Sequence, residues 1–227
     1  MRLIQSGALP PELNLALDEA LLHSGTETLR LYAWDPPGFS LGFFQRSAEL
    51  VCPDGFRLVR RNTGGGAIAH TGELTISWIG RRRRVDEAYD AINTLVAAAV
   101  RPLGVEVAAG AGEPEAAPAG LCFDSHTRYD LLASGKKLFG SAQRRGKDHF
   151  LLHGSLVLDP NPLARGAISL SELTGRTIAR HEIEQAVIAA ARKDWEPIAG
   201  IPTADEWAHA HRLVLERYGN KSWTARR

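Results

Sequence analysis

Apolar side chains recur along this chain with two alternating periods, near 3.6 and near 2, which predicts a mixed α+β fold. Leu13, Leu17 and Leu21 share one face of a helix over Leu13–Ser24. Strands are expected at Thr28–Trp34 and Phe39–Phe44, separated by the turn sequence Asp35-Pro36-Pro37-Gly38, and again at Phe56–Arg61 and Glu73–Ile79. Over Val85–Leu103 the helical period returns, with Ala88, Ile92, Leu95, Val96 and Ala99 in one stripe that Gly104 ends. Two later segments, His181–Asp194 and Ala204–Tyr218, are helical by the same criterion, the second with Trp207, Ala210 and Val214 on one face.

Between these helices the pattern predicts an antiparallel meander. Ser134-Gly135 suits a tight turn between Tyr129–Ala133 and Lys136–Arg145, because glycine accepts positive φ without a Cβ penalty. His149–Asp159 returns beside them. Lys137 then sits just after the turn and Cys122 just before the first strand, so folding of the loop after Gly120 brings thiol and ammonium together. Strand alternation turns Lys136 to the opposite, solvated face. Ala108–Gly120 is rich in Ala, Gly, Pro and Glu; it cannot bury enough surface to order itself and is expected as a mobile loop that could close over the site. Asp159-Pro160-Asn161-Pro162 marks a break, yet the apolar pattern continues across every turn-rich stretch. One domain over residues 1–227, without a separate accessory domain, is the expectation.

Composition narrows the class. With 44% hydrophobic and 23% charged residues, 227 residues can bury a substantial core. The 27 basic and 26 acidic residues give a formal charge of +1, which provides no global field for nucleic acid or membrane. Arg81-Arg82-Arg83-Arg84 lacks interleaved aromatics and reads as a solvated loop, or as a local basic edge that steers an acidic partner. The N-terminal apolar stretch, broken by Pro10-Pro11, is too short for a secretory signal, and the aliphatic region around Leu95–Val100 is far below the roughly 20 residues that span a bilayer. A cytoplasmic protein with no membrane segment is expected. Cys52 and Cys122, the two cysteines, are expected as reduced thiols, and no metal or disulfide framework is indicated.

Each candidate has an ordinary reading beside the chemical one. An isolated cysteine commonly packs as a small hydrophobe; as a nucleophile Cys122 must be a thiolate, which a neighbouring positive charge favours. Lys137 is an exposed strand lysine unless its ammonium is fixed near the thiol. Gly64-Gly65-Gly66 lacks the Gly-Lys-Ser/Thr ending of a phosphate-binding loop, so alone it signals little. Arg60 and Arg61 either cap a strand or meet an anion. Gly140, Ser141 and Ala142 are small enough for a chain or arm to approach the strand backbone, although a strand glycine also marks a bulge. His70 and His153 are polar packing elements or pocket residues, and nothing local decides between the two.

Several ordered stretches resemble the lipoate/biotin protein ligase and transferase family. They are Asn14-Leu-Ala-Leu-Asp-Glu-Ala-Leu-Leu22, Ser40-Leu-Gly-Phe-Phe-Gln45, Arg60-Arg-Asn-Thr-Gly-Gly-Gly-Ala-Ile-Ala-His70, Cys122-Phe-Asp124, Tyr129-Asp-Leu131, Gly135-Lys-Lys-Leu-Phe-Gly-Ser-Ala-Gln143 and His153-Gly-Ser-Leu156. Within the family the chain is most similar to the cysteine-dependent octanoyltransferases. The resemblance implies one catalytic domain of mostly antiparallel β-sheets flanked by helices. It implies Cys122 as nucleophile and Lys137 as essential lysine, with Arg60, Arg61, Thr63, Gly64, Gly65, Gly66, His70, Gly140, Ser141, Ala142, His153 and Gly154 at the substrate. The implied reaction passes an octanoyl group from octanoyl-acyl carrier protein through Cys122 to a lysine of a lipoyl domain or glycine cleavage H protein, with no metal or cofactor. The competing expectations are a lipoate–protein ligase, which would require ATP and Mg²⁺, and a non-catalytic carrier-binding scaffold. Ligases of this kind generally lack cysteine at the Cys-Phe-Asp position.

Overall fold

The computed structural model describes residues 1–113 and 120–226. Strand β1 (Arg2–Leu9) opens the chain and leads into helix α1 (Pro11–Ser24), where proline at the first helical position forfeits no intrahelical bond. Gly25, at φ 68°, ends α1 in the left-handed conformation. There follow β2 (Thr28–Trp34), β3 (Gly38–Leu41), β4 (Arg57–Arg60), β5 (Ile68–His70), β6 (Glu73–Arg81) and α2 (Val85–Val100). The meander comprises β7 (Ala108–Ala109), β8 (Leu131–Ala133), β9 (Lys136–Arg145) and β10 (His149–Val157). The chain finishes with α3 (Leu170–Thr174), α4 (Arg180–Asp194), β11 (Ile198–Ala199), α5 (Ala204–Leu213) and α6 (Lys221–Thr224).

Among the described residues the strands form an eight-stranded sheet, β11-β1-β2-β6-β10-β9-β8-β7, and a three-stranded sheet, β4-β3-β5. In the large sheet β1 runs parallel to β2 and β11, and every other pairing is antiparallel. The mixed, mostly antiparallel architecture is the expected one. One face of the large sheet presents Leu29, Leu31, Leu74, Ile76, Leu152 and Leu156 to Ile92 and Val96 of α2 and Val187 of α4. Each such side chain contributes about 1.5–3 kcal/mol on burial. Toward the opposite face, Ile4, Ile79 and Leu151 pack on α1 and α5 through Leu17, Leu21 and Ala210.

Most of the expected elements are present, with shorter ends. The strand expected at Phe39–Phe44 stops at Leu41, because Gly42 begins a turn in which the Gln45 N–H donates to the Gly42 carbonyl. The long helix ends at Val100 and tightens into a 3₁₀ turn over Arg101–Leu103, and α5 gives way to a π turn over Val214–Tyr218. Not all of Ala108–Gly120 is the expected loose loop. Ala108 and Ala109 pair with Leu132 and Leu131, and the Gly110 N–H donates to the Asp130 carbonyl. Residues 114–119, on which the rest of that expectation falls, lie outside the described residues.

Candidate active site

Strand alternation places a row of polar side chains on the one face where they are buried. Arg30, Ser77, His153 and Ala142 lie directly opposite one another across β2, β6, β10 and β9, and Tyr32, Thr75, Ser155 and Gly140 form the next row. Arg30 is fully buried; it donates to Asp18 Oδ1 at 2.7 Å and to Asn14 Oδ1 at 2.6 Å on α1. Asp18 also accepts from the Tyr32 hydroxyl and the Ser77 hydroxyl, and its Oδ2 lies 3.2 Å from His153 Nδ1. Burial alone would raise the Asp18 pKa, but Arg30 and His153 outweigh it and hold the carboxyl below its usual range. Buried charge of this kind is tolerated because it is paired and hydrogen-bonded on all sides. On the other edge of His153, Nε2 lies 2.7 Å from Thr63 Oγ1, so the network holds the start of the glycine loop.

Between this face and the small sheet runs a narrow slot, lined by Tyr32, Trp34, Thr75, Gly140, Ser141, Ala142, His153, Gly154 and Ser155 of the large sheet, by Ser40, Ile68 and His70 of the small one, and by Leu15, Arg61, Gly65 and Cys122. A wider cleft of about 970 Å³, with Tyr89, Ser125, His126, Tyr129, Asp130, Lys137 and Gln143 in its walls, meets the slot at Cys122, Gly65, Ser141 and Ala142. Cys122 therefore stands where a narrow apolar channel opens into a broader cleft of mixed polarity.

The local sequence explains how the thiol comes to stand there. Cys122 begins a 3₁₀ turn over Cys122–Asp124 and is tied to the small sheet, its N–H donating to the Ala67 carbonyl at 2.7 Å while the Ala67 N–H donates to Gly120. A Cβ on Gly66 would fall 2.8 Å from Cys122 N, so only glycine admits this approach. Across the cleft, Ser134 and Gly135 at φ 49° and 75° make the tight turn that sets the register of β9, with Lys136 exposed and Lys137 only 4% exposed. Lys137 Nζ lies 3.4 Å from Cys122 Sγ, 3.0 Å from the Cys122 carbonyl and 3.0 Å from Asp130 Oδ2. Gly140 makes room for it, since a Cβ there would sit 2.3 Å from Lys137 Cε. Burial disfavours the ammonium, but the charges of Cys122 and Asp130 overcome that and raise its pKa above the ordinary lysine value. Lys137 is thus a fixed positive charge beside the sulfur.

Asp130 escaped the sequence reading. Its Oδ2 also accepts from the Thr127 backbone N–H at 2.7 Å, which anchors the carboxylate and through it the lysine. The available signal was its place just before the first strand of the hairpin that carries Lys137. The slot residues Leu15, Tyr32, Trp34, Ser40, Ile68, Thr75 and Ser155 also escaped it.

Arg60 lies elsewhere than among the substrate-lining positions. Its guanidinium is buried against the carbonyls of Gly42, Gln45 and Thr224, and it lines neither the slot nor the cleft. Arg61 reaches the slot wall, but its N–H groups donate to the carbonyls of Ser40, Gly64 and Gly66 and so hold the glycine loop in shape. Burial pushes its pKa down to about 10, which leaves it charged at neutral pH. Thr63 faces His153 rather than the slot. His70 is stacked on Trp34, with Nε2 2.8 Å from Ser40 Oγ and Nδ1 bonded to Glu73. Burial lowers its pKa further than Glu73 raises it.

A cysteine and a buried lysine thus meet at the junction of an apolar slot and an open cleft. Residues 10–192 match the model of the lipoyl protein ligase A/B catalytic domain, and the chain belongs to that family. It is 33% identical to octanoyltransferase LipM of Geobacillus kaustophilus over 274 aligned positions, which cover 100% of this chain and 98% of that one. Octanoyltransferase LipM of Kyrpidia tusciae is likewise 33% identical, over 273 positions covering 100% and 98%. The fold is shared with a bi-partite lipoate protein ligase from Thermoplasma acidophilum, solved in a study of that ligase and its E2 lipoyl domain, at 22% identity and a TM-score of 0.80 over 99% of this chain and 95% of that one.

Proposed function

We propose that this chain moves an octanoyl group from acyl carrier protein to a lysine of a lipoyl-carrier protein through a thioester on Cys122. It is an octanoyltransferase of lipoate biosynthesis, an enzyme acting on protein lysine. The observation that carries the thioester route is the Lys137 ammonium fixed 3.4 Å from Cys122 Sγ at the mouth of an apolar slot.

In the first half-reaction the Cys122 thiolate attacks the carbonyl carbon of the donor thioester. The new C–S bond forms as the bond to the carrier's thiol breaks, and that thiolate takes up a proton as it leaves. Charge that gathers on the carbonyl oxygen is met by Lys137. The Cys122 N–H does not help, because Ala67 already holds it. In the second half-reaction the neutral amine of the acceptor lysine attacks the acyl-enzyme, an amide forms, the amine gives up its proton and the Cys122 thiolate returns. The slot takes the acyl chain, each methylene contributing about 0.8 kcal/mol on burial. The cleft admits the carrier arm of the donor and then the acceptor lysine. A lipoyl domain as acceptor accords with the Thermoplasma ligase, which was studied together with its E2 lipoyl domain. Among the described residues no helix is long and apolar enough to cross a membrane. A cytoplasmic setting suits the reaction, because thiols are kept reduced there.

A thioester donor is already activated, so neither ATP nor metal is needed. Transfer from octanoyl-acyl carrier protein to a lipoyl domain, followed by the mass of the domain, is expected to run at full rate in the presence of EDTA and without nucleotide, with free lipoate a poor substrate. A strict need for ATP and Mg²⁺, with an adenylate forming on the way, would make the enzyme a ligase instead.

A further inference from the structure

Strand β9 is paired on both sides for only part of its length. Leu131–Ala133 of β8 covers it from Lys136 to Phe139, while β10 follows its other side as far as Arg145. From Gly140 onward no described strand pairs with the outer edge, and that stretch lines the cleft through Ser141, Ala142 and Gln143. The Gln143 N–H is turned outward, where it meets the Tyr89 hydroxyl. Backbone groups alternate in direction along a strand, so the N–H and C=O of Ser141 also face outward, at the junction that Cys122 occupies.

An open strand edge is a row of donors and acceptors that binds other extended chains. This one ends in positive charge. Arg144 and Arg145, which alternation sends to opposite faces, straddle the edge, the latter about 13 Å along the strand from Ser141. Each uses one N–H on a backbone carbonyl, Arg144 on Asn62 at 3.3 Å and Arg145 on Arg83 at 3.0 Å. Among the described residues neither forms an ion pair with a carboxylate. A guanidinium pair with N–H groups remaining is a seat for a phosphate. The exposed Arg81–Arg84 run, whose Arg83 carbonyl takes the Arg145 bond, extends the basic end.

We infer that the open edge of β9 is the seat of the donor's arm: the amides of the arm pair with the backbone of Ser141 and Gln143, and the phosphodiester at its far end lies between Arg144 and Arg145. The inference rests on the proposed function, which takes the acyl group from an acyl carrier protein. Such a carrier presents the acyl group on a flexible arm with two secondary amides between the thioester sulfur and a phosphodiester. The edge offers its chemistry in the same order, with Cys122 at one end, backbone donors and acceptors between, and guanidinium groups at the other. A polypeptide acceptor matches the backbone but brings no phosphate to Arg144 and Arg145.

The test is the second-order rate constant for acylation of Cys122, read by intact mass, with four octanoyl thioesters: those of phosphopantetheine, pantetheine, N-acetylcysteamine and 2-mercaptoethyl acetate, the last replacing an amide by an ester. Each rate is divided by that of free cysteine with the same thioester. Wild type is expected to prefer phosphopantetheine over pantetheine by about tenfold or more, the scale of a charge-assisted hydrogen bond. It is expected to prefer the amide over the ester by about three- to tenfold, the scale of one neutral hydrogen bond. In Arg144→Ala/Arg145→Ala the first preference should fall to near one while the second stays. A double variant that keeps the first preference, even while slowing with every donor alike, overturns the arginine seat. If the double variant does not fold, wild type decides alone, and a value near one for either preference overturns the inference. Normal acylation of the double variant by octanoyl-acyl carrier protein, with slowed onward transfer to a lipoyl domain, assigns the edge to the acceptor and overturns it as well. No acyl adduct on wild type with octanoyl-acyl carrier protein overturns the proposed function itself.

Discussion

Replacing Cys122 by Ala is expected to leave the fold intact and to lower octanoyl transfer by at least about 1,000-fold, the scale of losing a nucleophile. The side chain is half-buried at the junction of slot and cleft, and its neighbours are held through its backbone, by the Ala67 pair and by the Lys137 bond to its carbonyl. Its loss therefore removes the sulfur and little packing. Cys52→Ala is the matching control. Cys52 packs beside the small sheet and lines neither the slot nor the cleft; burial raises its pKa, so it stays a neutral thiol at pH 7. Transfer measured by the mass of the acceptor lipoyl domain should be unchanged in this variant. Normal transfer by Cys122→Ala would sink the covalent route.

Lys137→Ala is expected to slow acylation of the enzyme by at least about 100-fold, the effect of losing one donor to a developing oxyanion. Alkylation of Cys122 by iodoacetamide at neutral pH should slow as well, since the sulfur loses the positive charge 3.4 Å away. Lys136→Ala should change neither, because that side chain is exposed on the other face of β9. Lys137→Arg should rescue poorly: the ammonium sits among Cys122, Ser125 and Asp130 at 3.0–3.4 Å, and a planar fork cannot occupy that site. Lys137→Ala also strands the buried Asp130 carboxylate, so Lys137→Ala/Asp130→Asn separates lost chemistry from lost stability. Equal dispensability of the two lysines would contradict the role given to Lys137.

The thiol–ammonium pair was legible in the sequence because it depends on local rules. A Ser-Gly turn fixes a two-residue hairpin, the hairpin fixes which of two adjacent lysines turns inward, and the family motifs carry the cysteine. What was not legible depends on pairing between distant strands. Arg30, in Leu29-Arg30-Leu31-Tyr32, alternates like the outward face of an ordinary strand; it is buried only because α1 supplies Asp18 and Asn14 above it. Trp34 and His70 lie far apart in the chain and meet because His70 pairs with Gly38, just past the turn that follows Trp34. Strand β5, three residues long, falls below what periodicity resolves. Strand β1 was hidden by Gly7, whose φ of 67° accompanies a register shift between Gln5 and Gly7 and breaks the alternation. Arg60 and Arg61 are built into the fold more deeply than their sequence suggests. Adjacent arginines beside a glycine loop suggest a bound anion, yet here they satisfy the carbonyls that a tight, buried turn leaves without partners.

Covalent catalysis by Cys122 is tested most directly by the intact mass of the wild-type protein, quenched within a single turnover after mixing with octanoyl-acyl carrier protein and no acceptor. One added octanoyl group is predicted, removable by hydroxylamine as a thioester is, absent from Cys122→Ala, and passed to a lipoyl domain when one is supplied. Octanoylation of the lipoyl domain at the normal rate, with no acyl group on the enzyme at any time of quench, would contradict it.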